Sequence, residues 1–200
     1  MLHSGQLLPR DAIAAFTYTS RRGHTYHLCQ VQAKAGGHRN VFMREPTGTP
    51  VPELPAGFEV VESLNGIVSL RRAGCSPIRA EEVEVVRREV GLDARLRDYR
   101  VDAQGRAVVV FEPLTDIPEL AKGFGIPEAR LRANMEVRMQ YQPVLRFVLA
   151  DTETRTFRAE RWCFRGSVDD WLDLHDVNHL DRLAGKYVKH LRKESFFELY

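Results

Sequence analysis

The residues best suited to chemistry lie close together near the carboxyl end of the chain. His175 and His179 are four positions apart. If this stretch is helical, both imidazoles lie on one face, at the spacing by which two histidines can bind one metal ion. Asp176 lies one position further round, and Asp173 could orient an imidazole from the second shell of ligands. These residues predict a divalent metal site with His175, His179 and Asp176 as ligands, in a metal-assisted hydrolase.

The same segment has a plainer interpretation. Residues 169–181 read DDWLDLHDVNHLD and lack the glutamate of the HExxH zinc motif. Acidic residues ahead of a helix start are stabilised by the helix dipole without any metal. A solvated helix start therefore competes with the metal site, and under that interpretation no cofactor is expected.

The cysteines carry little chemistry. Cys29, Cys75 and Cys163 are isolated and form no CxxC pair. That pattern excludes a disulfide framework and a zinc ribbon and favours a reducing cytosol, so we expect a cytoplasmic protein. Cys29 would share a strand face with His27, but a cysteine there is more typically a small buried hydrophobe than a nucleophile. The chain contains no nucleophile elbow, phosphate loop or dinucleotide-binding glycine pattern.

The distribution of positive charge favours a binding function. The formal net charge is only +2, yet residues 1–50 contain an excess of basic residues, placed around two predicted turns. Tyr18, Tyr26 and Phe42 are interleaved with these turns and could stack on bases while arginines contact phosphates. A predicted helix from Asn178 to Lys193 has a second basic row. The candidate residues for nucleic-acid or partner binding are Arg21, Arg22, Lys34, Arg39, Arg182, Lys186, Lys189 and Lys193.

The scaffold for these residues is predicted to be α+β. Residues 137–142 alternate apolar and polar positions, and residues 144–150 are apolar except for Arg146. With turn residues at Asp151–Thr154, this predicts a long β-hairpin over residues 136–166 that is covered by a few helices. Leu180, Leu183, Tyr187 and Leu191 form the apolar stripe of an amphipathic C-terminal helix. The sheets are expected to be mainly antiparallel.

Three segments are predicted along the chain. Residues 1–15 are a tail or one short helix, residues 16–72 a β-meander subdomain, and residues 73–200 an α+β domain that forms one compact unit with the meander. No apolar run approaches the roughly 20 residues that span a bilayer, so no membrane partner is expected. The sequence leaves the oligomeric state open.

Four stretches carry a family resemblance. They are FTYTSRRGHTYHL, PELPAGFEVVESLNGIVSLRRA, VLRFVLAD and KYVKHLRKESFFELY. The chain resembles, over residues 16–200, a family of uncharacterised bacterial and archaeal proteins. The resemblance implies a single domain and brings no catalytic residues with it.

Three functions therefore remain in view. The leading hypothesis is a non-enzymatic binding module, or a subunit of a complex, that contacts nucleic acid or an acidic protein. The alternatives are the metal-assisted hydrolase and a structural subunit whose apolar end, Phe196 to Tyr200, packs on a partner.

Overall fold

The structure is a computed structural model that describes residues 14–33, 36–74, 76–165 and 168–199. This part of the chain contains four α-helices and eleven strands, which pair antiparallel in three sheets. The α+β class with mainly antiparallel sheet is therefore confirmed. The chain divides into two compact units, Met1–Cys75 and Ser76–Tyr200. That the two form one body stays a prediction, and the tail or helix expected over residues 1–15 lies almost wholly outside the described residues.

The N-terminal unit is a small β structure built on its second strand. One edge of β2 pairs with β1 and then with β4, its other edge pairs with β3, and β5 and β6 form a separate hairpin. Gly23 closes the turn between β1 and β2 at a φ of 74°, which favours glycine. The strands are β1 (Thr17–Thr19), β2 (Thr25–Gln32), β3 (His38–Met43), β4 (Thr49–Pro50), β5 (Phe58–Glu62) and β6 (Val68–Arg72).

The C-terminal unit contains a five-stranded meander and all four helices. Its strand order is β11-β10-β9-β8-β7, so each strand lies beside its neighbour in sequence. The strands are β7 (Arg100–Gln104), β8 (Ala107–Pro113), β9 (Tyr141–Asp151), β10 (Thr156–Arg165) and β11 (Val168–His179), and the helices are α1 (Ala80–Gly91), α2 (Ile117–Phe124), α3 (Glu128–Met135) and α4 (Leu180–Tyr187). Short 3-10 helices cover Ala94–Leu96, Val188–His190 and Glu194–Phe196.

Helices α1 and α4 pack on each other and on the sheet to form the core of this unit. Phe147 and Phe157 are fully buried beneath them, and Leu183 from α4 is buried with them. Complete burial of one such side chain contributes about 1.5–3 kcal/mol, so this layer dominates the stability of the unit. None of the helices in the described residues has the length and apolar character needed to cross a bilayer.

Charged side chains lie on the face of the sheet that is not covered by α1 and α4. Glu160 of β10 lies directly across from Arg146 of β9 and Asp173 of β11. Its side chain is only 7% exposed, and it accepts hydrogen bonds from Arg146 at 2.6 Å and Arg158 at 3.0 Å. The Arg146 guanidinium also lies 4.1 Å from the centre of the Trp171 ring. These contacts satisfy the charges internally and hold three strands in register.

Two segments differ from the sequence expectation. Residues 136–140 contain no strand, because the chain turns there after α3 and β9 begins only at Tyr141. Residues 168–179 form the edge strand β11 rather than a helix start. In the described residues β11 pairs only with β10, and three residues, 174–176, bulge out of that pairing. Hydrogen bonding to β10 outweighs the local turn preference of the aspartates and Asn178.

Candidate functional site

Three neighbouring cavities in the C-terminal unit share Arg95 as a lining residue. The first, of about 340 Å³, lies between the end of α1 and the turn after α4. The second, of about 730 Å³, extends towards α2. The third, of about 290 Å³, lies where β8 and β9 meet the start of α2. We name this group of adjacent cavities the Arg95 groove. Its further charged lining residues are Arg97, Lys122, Lys189, Arg192 and Lys193, and Glu89, Asp93, Asp98, Glu112, Asp116 and Glu119.

Arg95 is held in place by the residue that caps its own short helix. Asp93 accepts the Arg95 backbone N–H at 3.0 Å and pairs with the guanidinium at 2.6 Å. These hydrogen bonds from Arg95 hold the pKa of the Asp93 carboxyl at about 2, well below its ordinary value. Leu96, the next residue, is anchored in the core. The contacts with Asp93 and the burial of Leu96 therefore position Arg95 beside the three cavities.

Two predicted binding residues, Lys189 and Lys193, line the first cavity. They are positioned by Val188 and Leu191, which are buried in the core. Neither ammonium group has an ion-pair or hydrogen-bond partner among the residues described. Burial and the charges of these two lysines lower the pKa of the neighbouring His190. This end of the groove therefore presents two ammonium groups without a close partner, and the formal charges of its lining residues sum to +1.

Most other charges in the groove are paired within the protein. Arg192 pairs with Asp116, and Asp98 pairs with Arg132. Asp116 also caps α2, and its pKa is lowered first by the hydrogen bond from the Glu119 backbone N–H. The groove is thus charged but largely neutral, and unpaired lysines are its main source of free charge.

Apolar side chains stand beside these charges. Leu92 lines the first cavity and is 75% exposed, and Leu114 lines the third and is 58% exposed. Tyr99 is the aromatic residue that lines the groove, and its side chain is nearly buried with its hydroxyl bonded to Glu112. The walls therefore offer aliphatic contacts to a ligand and no open aromatic face.

The predicted C-terminal basic row is only partly assembled. Arg182, Lys186 and Lys189 follow one another on exposed turns of α4 and the 3-10 helix after it. Lys193 does not continue that row, because Leu191 leaves the helical conformation and Arg192 has a φ of 61°. Lys186 pairs with Asp176 at 2.6 Å. The helix is shorter than the predicted 178–193.

The predicted N-terminal basic residues are dispersed or paired. Arg21 forms an ion pair with Glu62 at 3.1 Å, and Arg22 packs against Gly66. Arg39 is exposed on β3, and Lys34 lies outside the described residues.

The aromatic residues of the same unit pack internally. The Tyr18 hydroxyl donates to Glu62 and the Tyr26 hydroxyl to the Gly66 carbonyl oxygen, each at 3.2 Å. The Tyr18 ring lies 6.5 Å from that of Phe42. The rings therefore serve the packing of the unit.

The helical spacing expected for His175 and His179 is wrong. Both lie in β11, so the relation between positions four apart on one helix face does not apply to them. His175 sits in the bulge at a φ of 51°, and the Asp176 carboxylate is taken by Lys186 and Tyr187. Within the described ranges, no group of three or more His, Cys, Asp or Glu side chains could hold a metal ion.

No pattern in the sequence singles out Arg95, Lys122 or Arg192. They come from three separate elements, and only the folded chain brings them to one groove. The Asp93-x-Arg95 spacing at a helix start was the one local signal, because a capping aspartate fixes the residue two positions on.

Comparison of the chain with protein-family models, with curated proteins and with solved structures finds no match.

Proposed function

We propose that the protein is a binding module whose Arg95 groove holds an acidic, partly apolar segment of a protein partner. One observation carries the proposal. The unpaired ammonium groups of Lys189 and Lys193 line the same cavity as the exposed side chain of Leu92. Unpaired cations beside an exposed aliphatic residue complement a segment that alternates carboxylates with apolar side chains.

The two kinds of contact have different roles. An exposed ion pair contributes about 0.2–1 kcal/mol, so the lysines orient the partner and speed its association more than they tighten binding. Full burial of a leucine contributes about 1.5–3 kcal/mol. Leu92 and Leu114 would therefore supply most of the affinity, and Lys189 and Lys193 most of the selectivity for an acidic partner.

Single-stranded nucleic acid is the second candidate, and the unpaired lysines favour it. Such ligands gain about 1–3 kcal/mol for each base stacked on an aromatic side chain. Tyr99, the aromatic residue lining the groove, is 6% exposed and unavailable for stacking. Exposed leucines also have no role in phosphate binding. The acidic protein segment is therefore the better fit.

We infer that the scaffold of this site is the long β9–β10 hairpin with the helices that cover it. The hairpin anchors the core, and the apolar stripe of α4, including Leu183 and Tyr187, fixes the turn that carries Lys189. The groove would then be rigid before a partner arrives, which lowers the entropic cost of binding.

Fluorescence anisotropy with two probes tests the proposal. The probes are a fluorescein-labelled peptide of Glu-Asp-Leu repeats and a labelled oligouridylate. We expect saturable peptide binding that weakens as salt is added. The double variant Lys189→Gln/Lys193→Gln should lose about tenfold in peptide affinity, as expected for two ion pairs. Leu92→Ala should lose about tenfold for the peptide and nothing for the oligouridylate.

The matched control is Arg130→Gln/Arg138→Gln. Both arginines are exposed, neither lines the groove, and the variant removes the same two charges. An equal loss in control and lysine variants would show a general charge effect and overturn the site. Two results together would establish the nucleic-acid alternative instead. The peptide would not bind, and the slope of log affinity for oligouridylate against log salt concentration would be about 1.4 smaller in the lysine variant.

A further inference from the structure

The third cavity of the Arg95 groove contains a carboxylate that no cation balances. Glu112 accepts a hydrogen bond from the Tyr99 hydroxyl at 3.1 Å, and a second from the side-chain amide of Gln142. In the described part of the chain no guanidinium or ammonium group pairs with it. Asp98 and Asp116, which line the same cavity, each pair with an arginine. Glu112 is therefore the uncompensated acid of this cavity.

The neighbours of Glu112 fix its position without neutralising it. Burial and the adjacent carboxylate raise the pKa of Tyr99 well above its ordinary value, so the phenol stays protonated and keeps donating. Each carboxylate oxygen has a further lone pair available for another donor. A half-buried anion held by neutral donors attracts a cationic group strongly, because little water is present to screen it.

Arg192 supplies the opposite charge in the same cavity. Its φ of 61° lies in the left-handed region, which is strained for a non-glycine residue. Its guanidinium donates to Asp116 and to the Arg95 carbonyl oxygen. Because a guanidinium has five N–H donors, about three remain for a ligand. Their planar arrangement suits a carboxylate.

We infer that this cavity binds a small zwitterion of the α-amino-acid type, with its ammonium on Glu112 and its carboxylate on Arg192. The volume of about 290 Å³ is sufficient for such a molecule. Leu114 and Pro118, both exposed, form an apolar wall for its side chain. This small-molecule site goes beyond the protein-partner function proposed for the groove and rests on different charged residues, Glu112 and Arg192 in place of Lys189 and Lys193.

Isothermal titration calorimetry at neutral pH with three probes tests the inference. L-norvaline carries both charged groups, pentanoic acid lacks the ammonium, and n-butylamine lacks the carboxylate. We expect binding of L-norvaline and at least tenfold weaker binding of each analogue. Glu112→Gln and Arg192→Lys should each weaken L-norvaline binding at least tenfold. Glu119→Gln, which removes an exposed carboxylate from the adjacent cavity only, should leave it unchanged.

Far-UV circular dichroism of each variant shows whether it is folded, and Arg192→Lys keeps the measurement informative if Glu112→Gln unfolds. Any of three outcomes would overturn the inference. The three probes could bind equally, L-norvaline could fail to bind, or both folded variants could bind L-norvaline as tightly as the parent. Glu112→Gln leaves Lys189, Lys193 and Leu92 in place, so this variant should still bind the labelled peptide in the anisotropy measurement. The two proposals can therefore fail independently of each other.

Discussion

The side chain of Arg161, in the middle of β10, donates a 2.9 Å hydrogen bond to the carbonyl oxygen of Leu199. The same guanidinium reaches the carbonyl oxygen of Phe197 at 3.3 Å. Arg161 is 6% exposed and belongs to the helix-covered face of the sheet. The end of the chain is thus tied to the sheet by a buried cation, while Phe196 packs into the core.

Arg161→Met should release the residues after Phe196 and lower the free energy of unfolding by about 1–3 kcal/mol, because two carbonyl groups lose their donor. Urea unfolding measures the loss, and faster carboxypeptidase digestion reports the release. Arg138→Met, at an exposed position, is the control. Unchanged digestion would show that Phe196 alone holds the terminus.

Glu160→Gln should destabilise the C-terminal unit by about 1–3 kcal/mol, since Arg146 and Arg158 lose the negative charge they share and one of its two acceptor oxygens. The loss falls below the roughly 3–5 kcal/mol of a fully buried pair, because both guanidinium groups remain partly in water. Chemical denaturation of the variant measures the change. The exposed Glu153→Gln should have almost no effect, and an equal loss there would contradict the role of Glu160.

Asp176→Asn should reduce the acid sensitivity of folding. The hydrogen bond from Lys186 is the largest cause that lowers the pKa of Asp176 below its ordinary 3.8. A depressed folded-state pKa adds stability that is present above the unfolded value and lost as pH falls through the folded value. We therefore expect a shallower decline in the variant's unfolding free energy below about pH 4. Identical pH profiles for variant and parent would contradict this.

Gly48→Ala should destabilise the N-terminal unit. A Cβ at this position would lie 2.6 Å from the Gln30 carbonyl oxygen and 3.1 Å from Cβ of Cys29, where β4 pairs with β2. Relieving that clash should cost about 1–3 kcal/mol. Thermal unfolding checks it. Gly91→Ala is the control, because it meets no atom within 4 Å and should be neutral or stabilising.

Local chemistry in the sequence predicts several elements well. Asp116 caps α2 as its position before Ile117-Pro118 indicates. Gly91 ends α1. At the start of α1 the cap is Arg79, whose backbone N–H donates to the Glu82 carboxylate at 2.8 Å. Caps depend on neighbouring residues, and for that reason they can be read from a linear pattern.

Features set by distant partners could not be predicted in this way. Residues 168–179 carry aspartates and Asn178 that favour turns, yet pairing with β10 makes them a strand. The Arg95 groove joins elements from α1 to the turn after α4. Lys189 and Lys193 were identified from a helical row, although it is the departure from the helix at Leu191 that places both on one cavity.

The bulged edge strand β11 has a bearing on solubility. An unpaired strand edge is a template on which a second copy can add its own strand. Asp169, Asp170 and Asp173 place carboxylates along this edge, so antiparallel addition of another β11 would oppose like charges. Replacing the three aspartates with asparagine would remove this repulsion, and edge-to-edge self-association should then appear.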